Sequence, residues 1–397
     1  MALSLLIAVI VSILAWSQFR RRQNLPPGPY PFPIIGNILQ LGRNPQKSLT
    51  HLSKTYGPLM SLKLGSIHTV VVSSPDSAKL VLQEHDQAFS GRTIPAAAEA
   101  HGFDMISIGL IPVGERWRKL RKLCKEQMFK ARRLDGGAGV RREKVGRLVD
   151  YLRECSARGR AVDLGQAAFV TSFNLLSATF FSVDLIEFES DATQQLKKTV
   201  EGRIKKRSEF YFGRLLGVLG GIIDERFESR YMERKNDLLA ALFDLMEGSD
   251  EYDFNFKDIQ HLFLDLFLGG SDTTQSTVEW AMTELLANPE KMSNAKNELK
   301  SVIGEKKQVE ESHISRLPYL QALIKQTLRL HPPAPFLVPR QVDRLPLADR
   351  MLSLLLGSIL HNFEWEMEGG VTSDTTEEFG LTLHKAAPLK AIPLCCL

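Results

Sequence analysis

One stretch constrains the fold of this 397-residue chain more than any other: Asp253 to Pro289, DFNFKDIQHLFLDLFLGGSDTTQSTVEWAMTELLANP. Asp253 or Asn255 can cap its start. Asn288-Pro289 stops it, because the residue before a proline is pushed out of the helical region. What lies between predicts one helix of roughly 30 residues, about 45 Å long at 1.5 Å per residue. His261 to Leu268 is apolar nearly all round, interrupted only by Asp265, so this half belongs in a core. Gly269 and Gly270 come next, then Asp272, Thr273 and Thr274. Two glycines inside a helix cost about 1 kcal/mol each relative to alanine. Either the helix breaks there, with Ser271 or Asp272 capping a second one, or the glycines admit a ligand beside an acid and an alcohol.

The rest of the chain narrows the setting. Its hydrophobic content of 44% and charged content of 24% are those of a globular protein. The net charge of +4 is too slight to imply a nucleic-acid partner. Cys124, Cys155, Cys395 and Cys396 form neither a metal-spaced set nor a disulfide framework, which fits a reducing compartment. Ala2 to Trp16 is almost wholly apolar and Arg20-Arg21-Arg22 follow it, the reverse of the order in a cleaved signal peptide. Residues 1–22 therefore read as a membrane anchor, either a slightly short transmembrane helix or a shallow or tilted insertion, with the downstream chain on the cytosolic side.

Pro26, Pro27, Pro29, Pro31 and Pro33 make residues 23–37 a stiff, extended hinge. Pro58 to Leu64 and Ile67 to Val72 predict two strands joined at Gly65-Ser66, and Ser74-Pro75 opens a short helix. Gly114 to Arg133 predicts a basic helix on which Trp117 and Arg121 share a face. That helix is either a solvated cationic surface, a weak nucleic-acid site, or a place where the indole N–H and guanidinium donate to an anionic ligand. Further helices are predicted over Arg141–Glu154, Asp163–Phe181, Tyr211–Ser229, Leu317–Leu330 and Leu345–Phe363. Pro335–Pro339 predicts an extended apolar turn, and Phe379–Pro393 a strand, a turn and a strand.

Five motifs occur in a set order. After the anchor come Pro26-Pro27-Gly28-Pro29, Trp117-x-x-x-Arg121, Gly269-Gly270-x-Asp272-Thr273-Thr274, Leu328-Arg329-Leu330-His331-Pro332 and Phe379-Gly380-Leu381-Thr382. In this the chain resembles a plant microsomal cytochrome P450, most closely the geraniol 8-hydroxylase-like subfamily. The resemblance implies a mainly α fold with small β-sheets over residues 38–397, anchored in the endoplasmic reticulum membrane. It implies haem b as cofactor, with electrons from NADPH through a reductase that docks on the cations around Arg118, Lys119 and Lys122. The implied reaction is hydroxylation of a small lipophilic terpenoid or phenolic. Asp272 would relay protons and Thr273 would hydrogen-bond the iron-bound oxygen, with Gly269 and Gly270 making room. Trp117 and Arg121 would pair with the haem propionates, and Arg340 would be a weaker partner. Residues 92–107, Phe336, Leu337, Val338 and Leu381 would line the substrate pocket.

The chain departs from that family at its centre. The family's iron is held by a cysteine thiolate in a glycine-rich loop directly before the helix that matches Leu345-Pro346-Leu347-Ala348. Here Gln341-Val342-Asp343-Arg344 stands there instead, and an ungapped alignment puts Val342 in the ligand slot. The loop and the segment before it are missing near 343–344, and a shorter connection is missing near 209–211. The family's Glu-x-x-Arg is Gln326-x-x-Arg329, which removes one counter-charge from the arginine and leaves it partly buried without that partner. Two functions follow from different premises: a haem-thiolate monooxygenase, as the family implies, or an anchored remnant that cannot ligate haem iron. No residue is expected to bind metal directly.

Overall fold

The computed structural model describes residues 25–42, 44–92, 106–159, 161–191, 193, 196, 208–232, 235–248, 254–304, 309–337, 340–341, 363–367, 378–379, 383–384 and 391–395. The expected anchor and the body of the helix expected over Leu345–Phe363 lie outside these residues. Phe363 itself opens a strand, not a helix end. The described residues form two units, one running to Phe89 with two late strands, the other spanning Ser90–Gln341 with a short late strand pair.

In the first unit, β1 (Leu59–Leu64) and β2 (Ile67–Val72) form the expected antiparallel hairpin, with Leu64 opposite Ile67 across the Gly65-Ser66 turn. Helix α1 (Pro45–Tyr56) precedes it, and Phe363–Met367 pairs with Ala391–Cys395. The proline-rich hinge is laid onto β1 instead of standing free. The Ser61 amide donates to Pro27 O at 2.8 Å and its hydroxyl to Pro26 O at 2.6 Å. A Cβ on Gly28 would fall 1.9 Å from Ser61 O, so only glycine lets the two backbones meet. Asn37, fully buried, receives the Lys63 amide at 2.7 Å and donates to Tyr30 O at 3.1 Å. Prolines lack the donor for a strand ladder, and these side-chain bonds replace it.

The second unit is a helical body around one long element. Its helices are α2 (Glu115–Gln127), α3 (Ala138–Ala157), α4 (Leu164–Phe181), α5 (Ser208–Ser229), α6 (Leu238–Gly248), α7 (Phe256–Ala287), α8 (Pro289–Ile303) and α9 (Pro318–Leu330). Short strands β3 (Gly91–Arg92) and β4 (Arg340–Gln341) pair antiparallel, as do Glu378–Phe379 and Leu383–His384. This is the expected mainly α fold with small sheets. The expected basic helix is split: α2 ends at Gln127 and a separate turn of helix covers Ala131–Gly136.

Helix α7 is continuous for 32 residues, so the glycines do not break it. Asn255 caps it in a reciprocal box with Asp258, each side chain taking the other's amide at 3.0–3.1 Å. Its apolar half packs on α4. Phe173 stacks on Phe267 at 4.5 Å, Phe180 meets Phe263 at 5.1 Å, and Phe181 meets Phe263 edge-on at 4.7 Å. All five rings are at most 1% exposed, and burying each contributes about 1.5–3 kcal/mol. Among the described residues α4 is the one helix apolar and long enough to cross a membrane, yet over half of it is buried in this core. It is a core helix.

Candidate active site

The middle of α7 carries the residues singled out above. Gly270 faces α4 so closely that an added Cβ would lie 2.9 Å from Leu176 Cδ1, whereas a Cβ on Gly269 would meet nothing within 4 Å. The two glycines thus serve different ends: Gly270 seats a neighbouring helix, and Gly269 leaves open space on the other side. Asp272 is buried at 3% exposure, beside buried Gln275 and Ser276. Thr273 is half-buried and donates to Gly269 O at 2.7 Å. Ser271, Thr274 and Thr277 do the same to the carbonyl four residues back, at 2.6–2.8 Å. Such back-bonding satisfies each hydroxyl at the expense of straight helix geometry. A second acceptor for the Thr273 hydroxyl has to share or displace the Gly269 carbonyl, while its oxygen lone pairs still accept.

Trp117 and Arg121 do lie on one face of α2, with Arg121 exposed and Trp117 half-buried. The indole N–H does not wait for an anion: it donates to Ile108 O at 3.2 Å. The preceding residue, Arg116, pairs with the buried Asp258 of the capping box, tying α2 to the start of α7. Arg340 lies in β4, its backbone opposite Arg92. Phe336 and Leu337 are exposed, and Leu337 holds a left-handed φ of 53°, so the described part of this segment makes the expected turn, in a tighter form than an extended one. Val338 and Leu381 lie outside the described residues. Arg329 donates to Gln326 at 2.9 Å as the spacing requires, but both are exposed. Water therefore solvates the guanidinium, and the cost of a partly buried, unpaired charge does not arise.

Two residues with no role in the sequence reading are tied into this region. Asp265 accepts the Ser107 hydroxyl and the Ile108 amide, each at 2.8 Å. Burial pushes its carboxyl up to about 6, against these bonds and the nearby His261, which pull it down. His331, just past α9, stacks on Trp280 at 4.0 Å and meets Glu284 at 3.1 Å. The lone acid in the apolar stretch was the signal for Asp265, and the Leu328-Arg329-Leu330-His331-Pro332 motif that for His331.

The Asp265 shift predicts a pH dependence. The folded value lies above the unfolded 3.8, so folding takes up a proton between the two. Stability from this group is full below about pH 4 and is lost as pH rises through about 6. The loss is roughly 3 kcal/mol, from about 1.36 kcal/mol per pK unit. Urea unfolding of wild type should fall across that window, and Asp265→Asn should remove that fall.

Among the described residues no cluster of His, Cys, Asp or Glu could hold a metal ion. Cys124 is buried on α2, and burial drives its thiol up to about 11, away from the thiolate. Cys155 is fully buried on α3.

The cytochrome P450 family model matches residues 26–212 and 194–344. The chain is 42% identical to a ferruginol synthase of Isodon rubescens, over 94% of this chain and 95% of that one. It is 38% identical to a geraniol 8-hydroxylase of Catharanthus roseus, over 98% and 99% respectively. A sugiol synthase of Salvia miltiorrhiza is 37% identical over 98% of each chain. The first two alignments extend over 469 and 488 positions, more than the 397 residues present here. Each of those relatives therefore carries segments that this chain lacks.

Proposed function

The chain belongs to the cytochrome P450 family, and from that premise we propose that its scaffold is one for monooxygenation of a small lipophilic terpenoid or phenolic. The observation that carries this reading is near-full-length similarity to relatives named ferruginol synthase and geraniol 8-hydroxylase. The open side of Gly269, the Asp272-Thr273 pair and the α2 face with Trp117 and Arg121 are the retained parts of such a site. The exposed Arg118, Arg121, Lys122 and Lys125 suit an acidic electron-donating reductase. The apolar run before Arg20-Arg21-Arg22 suits an anchor in the endoplasmic reticulum membrane.

A second reading concerns this polypeptide as written: it carries the scaffold without the axial ligand and does not hold haem as a thiolate complex. It rests on the donor set. No cysteine lies between Cys155 and Cys395, and the family match ends at Arg344, where the ligand loop is missing. Cys124 is held as a buried thiol. Among the described residues no cysteine is held as a thiolate for iron, so no catalytic step is assigned to them. The test is the reduced, carbon monoxide-bound spectrum of the chain expressed with haem supplied. A red-shifted Soret band would support the monooxygenase reading, and its absence the remnant.

A further inference from the structure

Asp265 is the single acid in the apolar half of α7, and it faces the turn that leads into α2. Its two carboxylate oxygens are used separately. Oδ1 takes the hydroxyl of Ser107, which is 1% exposed, and Oδ2 takes the Ile108 amide, each at 2.8 Å. Ser107 O in turn accepts the amides of Leu110 at 3.1 Å and Ile111 at 2.9 Å, which closes the turn on itself. Ile108 O accepts the Trp117 indole N–H at 3.2 Å. An unbroken polar relay thus runs from the middle of α7, through residues 107–111, to the side chain on α2. Hydrogen bonds to a charged acceptor in a low-dielectric setting are shorter and stronger than neutral ones.

We propose that Asp265 is a positioning residue: its carboxylate clasps the Ser107–Ile111 turn onto α7 and, through the Ile108 carbonyl, sets where the Trp117 indole points. The turn ends the segment 92–107 that the family reading places beside the substrate, and only that consequence rests on the family reading. The clasp would therefore fix the described end of that segment at Ser107.

Hydrogen exchange and tryptophan emission test this without a cofactor. The Trp117 signal is isolated from Trp16, Trp280 and Trp365 by difference against Trp117→Phe. In Asp265→Ala, protection of the peptide spanning Ser107 to Ile111 should fall by about tenfold or more, the scale of one lost hydrogen bond to a charged group. Trp117 emission should shift to the red. Asp265→Asn keeps one acceptor and should restore most of the protection. Ser107→Ala touches neither Trp117 nor the Ile108 amide. It should still lower protection and shift the emission in wild type, and do nothing further in the Asp265→Ala background. Should Asp265→Ala fail to fold, Ser107→Ala and Asp265→Asn carry the test alone. Unchanged protection and emission in Ser107→Ala, or equal effects of Ser107→Ala with and without Asp265, would overturn the clasp. Neither result bears on the family reading, which stands or falls on the haem spectrum.

Discussion

Phe267→Ala is expected to lower the unfolding free energy of the second unit by about 3–5 kcal/mol, the range for removing a buried phenylalanine ring. The ring is fully buried and stacks on Phe173 at 4.5 Å. It also meets Phe180 edge-on at 5.2 Å and Phe181 at 6.1 Å. Three neighbours thus lose a partner at once. They sit on α4 and cannot collapse into the void without shifting the Leu176 contact at Gly270. Urea unfolding followed by far-UV circular dichroism checks it: the midpoint should drop while the slope stays near wild type. A loss below about 1 kcal/mol would mean that this cluster is looser than its ring geometry implies.

Asp237→Ala carries an effect of similar size for a different reason. The Asp237 side chain is 2% exposed and receives Arg226 through both guanidinium nitrogens at 3.0 and 3.2 Å. It also accepts the Ser182 hydroxyl at 2.8 Å and the Ala240 amide at 3.0 Å, the latter capping α6. Removing it takes the counter-charge from a largely buried arginine, which keeps the Phe181 carbonyl as an acceptor at 2.8 Å, and leaves two donors without their acceptor. Breaking one side of such a pair costs about 3–5 kcal/mol, more than the pair itself is worth. The double variant Arg226→Met/Asp237→Leu should therefore be more stable than Asp237→Ala alone. Equal or lower stability of the double variant would show that the pair contributes net stability of its own.

Elements held by local rules were legible in the sequence. The Asn255 cap, the Asn288-Pro289 stop, the β1–β2 turn at Gly65-Ser66 and the Ser74 cap all depend on residues within a few positions of each other. Whether Gly269 and Gly270 broke the helix was not legible, because Leu176 nearly a hundred residues away supplies the reason for Gly270. Asp265 was visible only as an interruption, since its partner Ser107 is 158 residues distant. His331 likewise gains its meaning from Trp280 and Glu284 on another helix. The candidate site divides in the same way. Its motifs announced the family, while the commitment of the Trp117 indole to Ile108 depended on a turn that no pattern specified.

The chain belongs to the P450 family, and we propose that it lacks the ligand for its iron. The most direct measurement is a paired spectrum, taken reduced under carbon monoxide with haem supplied. One sample is the chain as written, the other a variant with a family-type cysteine loop inserted between Asp343 and Arg344. No thiolate-type Soret band is expected from the first sample, and one is expected from the second. A thiolate-type band from the chain as written would show that its iron does find a thiolate ligand.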